Sequence, residues 1–249
     1  MKSFLMALQF LTRFHLQKQA VWTEEDLGKS VPWFPAVGWV IGLFLCLIEY
    51  VMSPLALPLL TAFFLVAGEF FITGAMHADG LMDTADGLFS GRSRERCLEI
   101  MKDSLIGSFG LLAFVFLVLL KILCLASIDT AKWGLLIAMP VIGRLNMVFS
   151  LCEYPYARPF GMGEAFSEYR PSYAEPVALV LGLIPGFFFG MTYLILAGAG
   201  LLAGLYINRW VVSKIGGTTG DTYGFVTEIT EVFLAFLFMI LSKGSLWFM

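Results

Sequence analysis

Carboxylates at Asp79, Asp83 and Asp86 stand at i, i+4 and i+7 within the stretch HADGLMDTADGLFSGRSRERCLEIMKDSLIGSFG, residues 77–110. An α-helix advances about 100° per residue, so all three project from one face, within about 60° of one another. Downstream, Arg96, Glu99 and Asp103 form a second helical stripe, with Ser93 at the N-cap position and Glu95 in the first turn. The intervening GLFSG lets the second helix fold back on the first. Three carboxylates on one face repel unless a cation neutralises them, and hard oxygen donors select Mg²⁺ or Mn²⁺ over zinc. Asp79, Asp83, Asp86, Glu99 and Asp103 are therefore the candidate ligands for one or two divalent ions. Mg²⁺ keeps several waters and takes one or two carboxylates plus phosphate oxygens, which implies a phosphorylated substrate. Arg92, Arg94, Arg96 and Lys102 lie close by to meet phosphate charge, the arginines in bidentate fashion. The chemistry indicated is Mg²⁺-assisted phosphoryl transfer, with Asp79, Asp83 and Asp86 as catalytic carboxylates, one of them accepting a proton.

The bland alternative is a solvated charged loop, and the Asp spacing, with Gly80, Gly87, Gly107 and Gly110 around it, argues against that. His77 precedes the first Asp by two places; it is a candidate base, although helical spacing turns it away from the Asp face. GGTTGD, residues 216–221, is a glycine-rich turn leading into an apolar helix, and it offers backbone N–H groups to an anion. Gly217, Gly220 and Asp221 join Arg144 and Arg158 as candidate substrate-binding residues, and Asp221 is also a candidate cap for the last helix. Glu69, Arg144, Glu228 and Glu231 sit in apolar surroundings, where a charge is costly unless it faces the protein interior.

These residues need a membrane scaffold to hold them. The chain has 249 residues, 59% hydrophobic and only 14% charged, with a net charge of −3. A soluble domain carries about a quarter charged residues, so the composition indicates an integral membrane protein, and the net charge gives no reason to expect nucleic acid as a partner. Cys46, Cys97, Cys124 and Cys152 are isolated and show neither zinc spacing nor a disulfide framework. The N-terminal MKSFLMALQFLTRFHL lacks the pattern of a removed signal peptide. With Phe4, Leu8 and Leu11 on one face, it is expected to form a helix at the membrane interface.

A span needs about 20 apolar residues. Spans are expected near 33–52, 55–76, 107–128, 132–152, 176–193, 194–213 and 223–242, with a break at Pro185 or near Gly198 and Gly200. The expected fold is all-α, a polytopic helical bundle of about seven spans plus an interfacial helix, forming one membrane-embedded domain over residues 1–249. Lys and Arg are concentrated on one side of this topology, including Lys2, Arg13, Lys18, Arg92, Arg158 and Arg209, which places the Asp stretch, YPYARPFGMGEAF and GGTTGDTYG together on the cytoplasmic face.

The Asp stretch closely resembles the signature of the cobalamin synthases, the adenosylcobinamide-GDP ribazoletransferases of the late vitamin B12 pathway. FLTR (10–13), FPAVG (34–38), YARPFGMG (156–163) and GGTTGDTYGFVTEITE (216–231) resemble other recurrent stretches of that family, in the same order. The resemblance implies a multi-pass inner-membrane enzyme that requires Mg²⁺. It would join adenosylcobinamide-GDP to α-ribazole or its 5′-phosphate, releasing GMP and forming adenosylcobalamin or its phosphate. Asp79, Asp83, Asp86 and Asp103 fall on the family's acidic positions. The lipid bilayer and neighbouring late-pathway enzymes are the partners it implies, and the oligomeric state is left open. His15 and Leu105 depart from the pattern, standing where proline and arginine are common. A CDP-alcohol phosphotransferase performs a similar displacement, but DGLFSGR lacks the Ala-Arg of that motif. An ion-coupled secondary transporter would place its charges nearer the membrane midplane and show inverted repeats.

Overall fold

The computed structural model describes residues 2–14, 16, 22–159 and 161–244. His15, Lys18 and Phe160, used in the reading above, lie outside these residues. The fold is all-α: α1 (Lys2–Leu11), α2 (Glu24–Ser30), α3 (Phe34–Met52), α4 (Pro58–Thr73), α5 (Met76–Phe89), α6 (Arg94–Ile100), α7 (Ser108–Ala126), α8 (Trp133–Glu153), α9 (Met162–Glu168), α10 (Ala174–Leu183), α11 (Gly186–Ile215) and α12 (Gly220–Gly244). Pairing of extended backbone among the described residues is limited to an isolated bridge between Tyr156 and Thr218.

Among the described residues, five helical stretches are long and apolar enough to cross a membrane: Glu24–Leu55, Ser108–Ala126, Trp133–Glu153, Gly186–Ile215 and Gly220–Lys243; a sixth arises if α4 and α5, bent by 92°, count as one broken span. The seven separate spans of the sequence reading are thus reduced. The span expected at 176–193 is replaced by α10, whose 10 residues end before Pro185, and by an α11 interrupted at Gly190 (φ 67°, ψ −154°). Ten helical residues cover about 15 Å, half of a hydrocarbon core.

α8 is the central helix, and every residue from Leu135 to Val148 is buried, as expected of a helix that is apolar on all sides. α3 packs on it closely: a Cβ at Gly38 would lie 2.6 Å from the Pro140 carbonyl oxygen, and one at Gly42 2.9 Å from Ile137 Cα. This is small-residue packing at four-residue spacing, which lets helix backbones approach inside a membrane. α1 turns Ala7, Leu8 and Leu11 into the same core, so its apolar face meets protein. Lys121 of α7 sits between Glu69 of α4 (2.7 Å), Glu231 (2.6 Å) and Glu228 (3.6 Å) of α12, while Arg144 of α8 also pairs with Glu231. This fully buried network ties four helices together.

α5 leaves the line of α4 at a sharp corner. Gly74 (φ 66°) and Ala75 (φ 58°) are both left-handed, and the Ala75 N–H closes the end of α4 by donating to the Phe70 carbonyl at 2.9 Å. The left-handed conformation costs a non-glycine residue about 1–2 kcal/mol, borne here to turn the acidic helix across the bundle.

Candidate active site

α5 runs across the N-terminal ends of α7 and α12, with contacts at each end fixing its place. At one end, Asp86 accepts hydrogen bonds from Gly107 N at 2.8 Å and Gly110 N at 2.9 Å, so its carboxylate caps the start of α7. A Cβ on either glycine would lie within 2.4 Å of an Asp86 oxygen, which explains both glycines. At the other end, α5 and α12 meet backbone to backbone: a Cβ at Gly80 would lie 2.6 Å from the Asp221 carbonyl oxygen, and one at Gly224 2.7 Å from that of His77.

That crossing brings Asp221 beside the Asp stripe. Burial first, then the charges of Asp79, Asp221 and Asp86, push the Asp83 carboxyl up to about 7, against the opposing pull of Arg158. The GGTTGD turn is held in place by its own hydrogen bonds. Ala157 N donates to Thr218 O at 2.8 Å and Thr218 N to Pro155 O at 2.9 Å, so the turn is zipped to the YAR segment. Thr219 and Thr222 exchange side-chain and backbone bonds of 2.8 and 3.3 Å, making Thr219, rather than Asp221, the cap of α12. Asp221 instead accepts from Arg158 Nη2 at 2.6 Å. Gly217 is used for close approach, since a Cβ there would lie 2.4 Å from the Pro155 carbonyl oxygen, whereas Gly220 has open space around it.

A cavity of about 210 Å³ opens between these elements, lined by His77, Asp79, Gly80, Gly220, Asp221 and Gly224 together with apolar residues that include Phe34 and Met147. The second stripe stands apart from it in chemistry. Arg92, Arg96, Lys102, Glu99 and Asp103 are exposed; Arg96 pairs with Glu99 at 2.7 Å, and Asp103 accepts from Leu105 N at 3.1 Å. Ser93 occupies the N-cap position of α6 without a side-chain cap bond. Among the described residues, no three His, Cys, Asp or Glu side chains are already gathered at metal-holding distance. The carboxylates nevertheless suit a hard cation in kind, because Asp79, Asp83 and Asp221 repel one another across a half-buried space and supply only oxygen donors. His77 and Arg144 are buried, with Arg144 Nη2 at 3.4 Å from His77 Nδ1.

The sequence reading missed Lys121, which stands alone in the apolar run SFGLLAFVFLVLLKILCLA. A lone ammonium in such a run requires a buried partner, and that was the available signal. The partnership of Arg158 with Asp221 carries no comparable mark in the sequence.

Residues 3–240 match the family model described as cobalamin-5-phosphate synthase. A protein of Desulfitobacterium hafniense named adenosylcobinamide-GDP ribazoletransferase is 38% identical over 93% of this chain and 94% of its own. Proteins of the same name from Desulforamulus reducens (36% identical, 96% of each chain) and Fusobacterium nucleatum (35%, covering 97% and 98%) are similarly related. No solved structure matches. With the family model spanning nearly the whole chain and such relatives covered end to end, the chain belongs to the cobalamin-5-phosphate synthase family.

Proposed function

We propose that this chain is a membrane transferase that joins α-ribazole, or its 5′-phosphate, to adenosylcobinamide-GDP and releases GMP. The observation that carries the reading is the seating of Asp221 against Gly80, which merges the HADGLMDTADG helix and the GGTTGD turn into one acidic site beside a cavity. A ribose hydroxyl oxygen bonds to the phosphorus attached to the cobinamide arm, and the bond from that phosphorus to the bridging oxygen of GMP breaks. The hydroxyl proton passes to a carboxylate of the α5 stripe, Asp79 or Asp83.

Asp79, Asp83 and Asp221 are the residues that would hold Mg²⁺, while Asp86 braces α7. When bound, the ion would offset diphosphate charge and polarise the phosphorus–oxygen bond that breaks. Arg158 would meet a phosphate oxygen from beside Asp221, and exposed Arg92, Arg96 and Lys102 would receive the leaving nucleotide. The cavity, about 210 Å³, accepts only the reacting ribose and phosphate portion, so the corrinoid would stay outside it. The reading puts this face on the cytoplasmic side of the inner membrane, and the concentration of Lys and Arg on that side of the expected topology supports the orientation.

The test is GMP release from adenosylcobinamide-GDP by protein purified into lipid. Release is expected only with both α-ribazole and Mg²⁺ present. Inactivity of well-folded protein in that assay, combined with CMP release from a CDP-lipid, would replace this reading with phospholipid synthesis.

A further inference from the structure

His77 is 2% exposed and lines the cavity together with Asp79 and Asp221. Its two ring nitrogens have different surroundings. Nδ1 lies 3.4 Å from Arg144 Nη2. A guanidinium has only N–H donors, so Nδ1 accepts and the ring proton resides on Nε2. Nε2 is buried and has no hydrogen-bond partner among the described residues. An N–H donor closed off from water and left unpaired is costly, and natural proteins keep such groups for a ligand or an ordered water.

Arg144 is itself immobilised. It pairs with Glu231, which Lys121 holds at 2.6 Å, and Lys121 is bound to Glu69 at 2.7 Å. The intramembrane charge network therefore ends at the imidazole. The guanidinium behind the ring also polarises the Nε2–H bond outward, which favours an anionic acceptor.

We propose that His77 is a neutral hydrogen-bond donor to a phosphate oxygen of the substrate, with Arg144 as the positioning residue that keeps the proton on Nε2. This inference rests on the proposed phosphoryl transfer, and it reverses the role of base considered from sequence. With the Nδ1 lone pair taken by Arg144 and Nε2 protonated, the ring has no acceptor left to offer.

The chain contains two histidines, so ¹⁵N-histidine labelling in lipid nanodiscs isolates the His77 signal by its loss in His77→Gln. The expected spectrum shows the Nε2–H form in the unaltered protein, a shift of that N–H when diphosphate and Mg²⁺ are added, and mixed tautomers in Arg144→Gln. In turnover, His77→Phe is expected to lower kcat roughly ten- to hundred-fold, the range for a hydrogen bond to a charged group, while His77→Gln, which restores an N–H near Nε2, recovers most of it. An Nδ1–H form in the unaltered protein, an N–H unmoved by diphosphate, or an undiminished kcat in His77→Phe would each overturn the proposal. Should His77→Phe fail to fold, the spectra of the unaltered protein decide the matter. If the protein releases no GMP under any condition while the His77 N–H still answers to diphosphate, the transferase reading fails and the donor role stands.

Discussion

Replacing Asp86 by Asn removes one acceptor from the N-terminus of α7. The native carboxylate takes Gly107 N at 2.8 Å on Oδ2 and Gly110 N at 2.9 Å on Oδ1. Asparagine offers one carbonyl oxygen, and its amide nitrogen cannot accept, so one backbone N–H is left facing another donor. An unsatisfied donor costs about 1–3 kcal/mol, and loss of negative charge at a helix N-terminus adds roughly 0.3–1 kcal/mol. The sum, about 1.3–4 kcal/mol, changes the folding equilibrium roughly ten-fold or more. The measurement is the denaturation midpoint in lipid nanodiscs, paired with a Mg²⁺ titration of GMP release at a temperature where the variant stays folded. The expected result is a lower midpoint with an unchanged half-saturating Mg²⁺ concentration. An unchanged midpoint with a ten-fold higher Mg²⁺ requirement would refute the bracing role and make Asp86 a metal ligand.

Asp83→Asn is expected to abolish GMP release without lowering the denaturation midpoint, because burial and the neighbouring carboxylates already disfavour the Asp83 charge and, among the described residues, no hydrogen bond from it joins two helices; retention of most activity at saturating Mg²⁺ would count against the acidic site. Lys121→Met removes the ammonium from Glu69, Glu228 and Glu231, of which Glu231 keeps its pairing with Arg144. Removing one partner of a buried ion pair costs about 3–5 kcal/mol, and adding Glu69→Gln should return part of it, as a double-mutant cycle on unfolding would record. Gly80→Ala places a methyl 2.6 Å from the Asp221 carbonyl oxygen, so α5 and α12 must separate. Overpacking of this kind costs about 1–3 kcal/mol, and activity should fall well beyond what the loss of folded protein explains, measured as kcat per folded molecule by active-site titration.

Much of this protein could be read from the chain itself. The membrane class follows from composition, because 14% charged residues cannot cover a soluble surface of this size. The single face shared by Asp79, Asp83 and Asp86 follows from helical periodicity, a local property of one segment. The break near Pro185 was legible because proline lacks the N–H that a continuing helix needs, although Pro140 stands inside α8. Span number was less so, since the ten-residue α10 and a corner at Gly74 and Ala75 look like continuous hydrophobic sequence until backbone conformation is known.

What only the tertiary structure decided is which polar groups meet. Arg158 and Asp221 are 63 residues apart, Asp86 and Gly110 24, and Lys121 and Glu231 110. Their pairing depends on how closely and at what angle helices cross, and those are set by glycines such as Gly80 and Gly224 acting on a distant backbone. Periodicity had grouped Asp86 with Asp79 and Asp83. The fold turned that carboxylate to the start of α7 and brought Asp221 to the stripe from another helix, because a buried carboxylate goes to the N–H groups within its reach, and reach is a property of packing.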